Sequence, residues 1–104
     1  MNLGVIDMHM LLFQGNRLET TDGVADAVMA YADALARSNG SDIVEFPVVV
    51  DGMVTHTRVL LAPGIGWATV AVPGSNSFEI DGSAPAAAEI RHRADELAST
   101  FWLS

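Results

Sequence analysis

The chain has 104 residues, 50% of them hydrophobic and 17% charged, with 13 acids against five arginines and a net charge of -8. That length and apolar content suit one domain with its own core, and the absence of cysteine removes disulfides, thiol catalysis and thiolate-bound zinc together. Acidity without a basic patch argues against nucleic acid and anionic membranes as partners. No apolar run has the length of a membrane span, and Met1–Asp7 lacks the basic start of a signal peptide, so a cytoplasmic address is expected.

Residues 5–13 alternate, with Ile6, Met8, Met10 and Leu12 on one side of a strand and Val5, Asp7, His9 and Leu11 on the other. Gln14-Gly15-Asn16 is expected to end that element. Residues 22–38 form a helix with Val24, Val28, Tyr31 and Leu35 as its apolar stripe. Thr21 or Asp22 is suited to cap its start, and Asn39-Gly40 to stop it.

Residues 42–50 and 53–62 flank Asp51-Gly52, the signature of a two-residue hairpin turn. That turn fixes the register, setting Val44 opposite Val59, Glu45 opposite Arg58 and Pro47 opposite His56. Pro47 has no amide proton to give to a ladder, so its strand is expected at the sheet edge or bulged. A third strand is expected over residues 67–73, continuing the meander, with a short further segment at Phe78-Glu79-Ile80. Ser83 and Pro85 open a second helix over residues 84–101, its stripe being Ala87, Ile90, Ala94, Leu97 and Phe101.

The resulting order is strand, helix, three strands, helix. It predicts an α+β two-layer sandwich with a mostly antiparallel sheet of three or four strands and both helices on one face. The helices would cover Val44, Phe46, Val48, Val59, Val70 and Val72. The other sheet face would carry Ile43, Val49, Val54, Leu60 and Trp67, and the aromatic tail Phe101-Trp102 would add apolar surface. These seven residues are the candidate interface. A rimmed apolar patch of this kind marks a partner surface, and the leading expectation is a non-enzymatic module that forms a homodimer or binds another protein.

A second reading uses chemistry. Asp7 and His9 share a strand face, and Glu45, His56 and Arg58 share the outer hairpin face, so the five are candidate ligand-binding residues if the strands adjoin. Asp7 and His9 alone are too few for zinc, which takes three or four ligands, and no catalytic residue, metal or cofactor is expected. A third reading takes the acidity as steering toward a basic protein partner. Residues 1–52 hold eight acids and two arginines, and residues 53–104 five acids and three arginines, so the charge is concentrated in the first half.

Overall fold

A computed structural model describes residues 8–72 and 80–103, leaving aside the side chains of 101–103. The elements in chain order are β1 (Met8–Phe13), β2 (Asn16–Thr21), α1 (Asp22–Ser38), β3 (Asp42–Val50), β4 (Met53–Leu61), β5 (Trp67–Ala71) and α2 (Ser83–Leu103). The strands form one antiparallel sheet in the order β4-β3-β2-β1-β5. The α+β class and the helical layer are as the sequence predicts. The sheet has five strands rather than three or four.

The additional strand is β2. Gln14 and Gly15 do not end the first element; they turn it back on itself. Their φ values of 46° and 81° are both in the left-handed region, as a primed two-residue turn requires. Only Leu18 among residues 16–21 is strongly apolar, so the strand has no period-2 signal to read.

Two further expectations are corrected. β3 is an inner strand, not an edge, and its register with β4 runs through Pro47 without a bulge. Pro47 sits where the β2–β3 ladder is already breaking, at one paired position, Glu19 with Val49. Its carbonyl accepts a hydrogen bond from the Thr20 hydroxyl at 2.9 Å, so a side chain completes what the ladder leaves open. β5 does not extend the β3–β4 meander either. The link from Ala62 to Gly66, with Gly64 at φ 92°, is long enough to carry the chain to the other end of the sheet, where β5 pairs with β1. That inverts its faces. Thr69 lies opposite Leu11 and Trp67 opposite Phe13, so Trp67 faces the core side and Val70 faces outward. Ile80 is buried but in no strand, while Phe78 and Glu79 lie outside the described residues.

α1 is capped as its sequence dictates. Thr21 accepts from the Val24 amide at 3.3 Å, and Asn39 takes the left-handed stop at φ 56°. Ser83 behaves differently from a simple N-cap. It is the first residue of α2, and its hydroxyl donates to the Ile80 carbonyl at 2.7 Å.

Val24, Val28, Tyr31 and Leu35 of α1 pack on Leu11, Val44, Phe46, Val48, Val59 and Leu61. Burying each of the larger side chains contributes about 1.5–3 kcal/mol. α2 adds Ile90 and Ala94 to the same core. Gly23 lies beside Ala87, and Ala30 and Ala34 share a groove with Ala94 and Ala98, so the helices run in the same direction along small-residue faces.

The sheet is curled. Residues 57–60 of β4 and the turn between β1 and β2 border one groove, although β3 lies between β4 and β2 in the strand order. Phe13, Leu18 and Val59 belong to the core-facing side, so the curl is concave toward the helices.

Candidate functional site

The hairpin register is the one its Asp-Gly turn dictates. Asp51 and Gly52 have φ values of 51° and 76°, and Glu45 pairs with Arg58, Pro47 with His56, Ile43 with Leu60 and Val49 with Val54. All eight lie on the convex face, because Val44, Phe46 and Val59 point the other way into the core. Glu45 and Arg58 stand directly across from each other without closing a salt bridge within 4 Å. The His56 ring lies beside Gly82, where the chain enters α2.

His9 does not join this group. It shares the Leu11 side of β1, facing the helices, and its Nδ1 lies 3.3 Å from the Asp22 carboxylate at the start of α1. The two atoms are close enough for an ion pair but not aligned as a hydrogen bond. His9 and His56 are therefore on opposite sides of the sheet. The five-residue cluster is reduced to Glu45, His56 and Arg58; Asp7 lies outside the described residues. Among the described residues no three metal-ligating side chains come together.

The convex face is apolar at its surface. Ile43 is 48% exposed, Val54 44%, Leu60 50% and Val70 49%, and the half-buried Val49 adjoins them. The cross-strand pairs Ile43–Leu60 and Val49–Val54 make two apolar rungs along β3 and β4, with Glu45, Arg58 and His56 between them. Trp67 is not part of this surface. Its ring stacks on Phe13 with centroids 4.2 Å apart and packs against the core. Phe101 and Trp102 fall among the residues whose side chains are not described.

A polar cluster that sequence reading did not single out joins three elements. Asp42, at the start of β3, accepts from the Tyr31 hydroxyl of α1 at 2.7 Å and from Arg93 of α2 at 3.1 Å, both on Oδ2. Its other oxygen accepts from the Ile43 amide at 2.8 Å. Burial alone would push the carboxyl up, but the Tyr31 hydroxyl, the Ile43 amide and the Arg93 charge outweigh it and hold the group below its ordinary value. The Tyr31 phenol is pushed up to about 12, first by burial and then by the hydrogen bond and charge of Asp42. Tyr31 stood in the predicted apolar stripe, and nothing in the spacing of Asp42 and Arg93 ties them to it. This cluster ties α1, α2 and β3 together.

Helix α2 is no membrane span, and no described helix is long and apolar enough to be one. No protein family matches this chain, and neither a curated protein nor a solved structure matches it.

Proposed function

We propose that this chain is a non-enzymatic association module whose convex sheet face pairs with the same face of a second copy. The observation that carries the reading is the pair of apolar rungs, Ile43–Leu60 and the half-buried Val49 with exposed Val54, on the sheet face opposite the core side. Apolar surface of this kind gains free energy when it is covered, and Glu45, Arg58 and His56, which lie between the two rungs, would be covered with it. A two-fold arrangement lets one patch serve both partners.

The chemical alternative has less support. It needed His9 beside His56, and the sheet lies between them.

Light scattering in line with size exclusion tests the proposal on the full chain. A mass near twice 11.0 kDa is expected at tens of micromolar. Leu60→Glu should weaken the dimer by roughly a hundredfold, because the change is made twice in a symmetric interface, while leaving the thermal midpoint of the monomer nearly unchanged. A mass of 11.0 kDa at high micromolar concentration would overturn self-association.

A further inference from the structure

We propose that the open mouth of the curled sheet binds a small organic anion with an apolar body. The half-open groove between the β1–β2 turn and β4 has a volume of about 460 Å³, within the size range of ligand sites, and the mouth of a curled sheet is a common place for one. Its apolar wall is Phe13, Leu18, Val59, Leu60 and Ile65. The Phe13 ring is held in place by its stack on Trp67. This surface suits an aromatic or branched hydrocarbon group.

The polar rim has one sign. Arg17 and Arg58 border the groove, with the carboxamides of Gln14 and Asn16 and the Thr57 hydroxyl, and no carboxylate lines it. In a chain with 13 acids and five arginines, that composition reverses the prevailing charge locally. Among the described residues the salt bridges engage Arg37 and Arg93, not Arg17 or Arg58. Arg58 also borders a neighbouring cleft with Glu45 and Glu89, so Arg17 is the cation that belongs to this groove alone. A guanidinium fork beside two amide donors matches a carboxylate, and the apolar wall selects an organic anion over inorganic phosphate. Arg58 and Leu60, which border the groove, also belong to the convex face, so a bound anion and a second copy would meet at these two side chains.

Amide-resolved NMR of the full chain, titrated with phenylbutyrate and separately with its neutral amide, tests the site. Phenylbutyrate should give saturable shifts centred on residues 13–18 and 57–65, at submillimolar affinity. The neutral amide should bind at least tenfold more weakly, and Arg17→Gln should cost roughly tenfold with the thermal midpoint retained. Arg91→Gln, on the exposed side of α2, should change nothing. Equal binding of acid and amide, shifts centred elsewhere, or no saturable shift at several millimolar would overturn the assignment. Light scattering on the same samples separates the two proposals, because a monomer that still binds phenylbutyrate defeats only the dimer.

Discussion

Asp42 concentrates more of the fold's polar energetics than any other described residue. One carboxylate oxygen receives both the Tyr31 hydroxyl and the Arg93 guanidinium, so α1, α2 and β3 meet at a single atom. Tyr31 is the chain's only tyrosine, which makes its ionisation directly readable as tyrosinate absorbance. The titration midpoint should lie near 12 in the folded protein, and Asp42→Asn should move it down toward the ordinary value. The stability consequences have opposite signs at the two ends of the pH scale. The raised Tyr31 phenol contributes stability that is complete below the unfolded value of 10 and is lost between 10 and 12, so Tyr31→Phe should lose less stability than the native chain as pH rises across that window. The depressed Asp42 carboxyl contributes stability present above 3.8 and lost as pH falls below it. Asp42→Asn should lower the thermal midpoint at neutral pH by about 5–10 °C, with the deficit shrinking in acid.

At the scale of elements, the two hairpins make an instructive pair. Asp51-Gly52 and Gln14-Gly15 adopt the same left-handed pair of conformations. The first is announced by its residues and by long apolar strands on both sides, and its nine-residue register follows from the turn alone. The second has Gln where Asn or Asp is favoured, followed by a strand with three polar residues and one leucine in its first four. The sequence therefore hides β2, and with it the true position of β3. Trp67 lies on the face opposite to the one its alternation suggests, because strand order is not encoded locally: the five-residue link before β5 permits either neighbour, and packing on Phe13 decides. Of the site residues, the outer-face set from the hairpin was legible, while the groove at the sheet mouth was not, since it depends on curl. The turn itself is testable by urea unfolding. Gly15→Ala should cost about 1–2 kcal/mol from backbone strain alone, since open space surrounds the position. Gln14→Asn should be neutral or stabilising, by up to about 1 kcal/mol.

For the whole molecule, the net charge of -8 bears on the proposed association of two copies. Association through an apolar face must overcome repulsion between two acidic chains. Added salt shortens the screening length, from about 10 Å at 0.1 M to about 3 Å at 1 M. The dimer should therefore tighten several-fold between low and moderate salt in sedimentation measurements. A dimer that loosens with salt would instead place attractive charge pairs at the interface.

The pairing of β5 with β1 also governs how the chain reaches this state. His9 and Ala71 are partners, so the sheet's far edge waits until most of the polypeptide is available. The β3–β4 hairpin and α1 close over short loops and can form within microseconds. The last strand must then find its place across the entire preceding chain, a search that puts completion of the fold in the slower regime of long-range β pairing. During synthesis, the β1 edge carrying Leu11 and Phe13 stays unpaired until Trp67 has been made. During that interval the unpaired edge is exposed to aggregation.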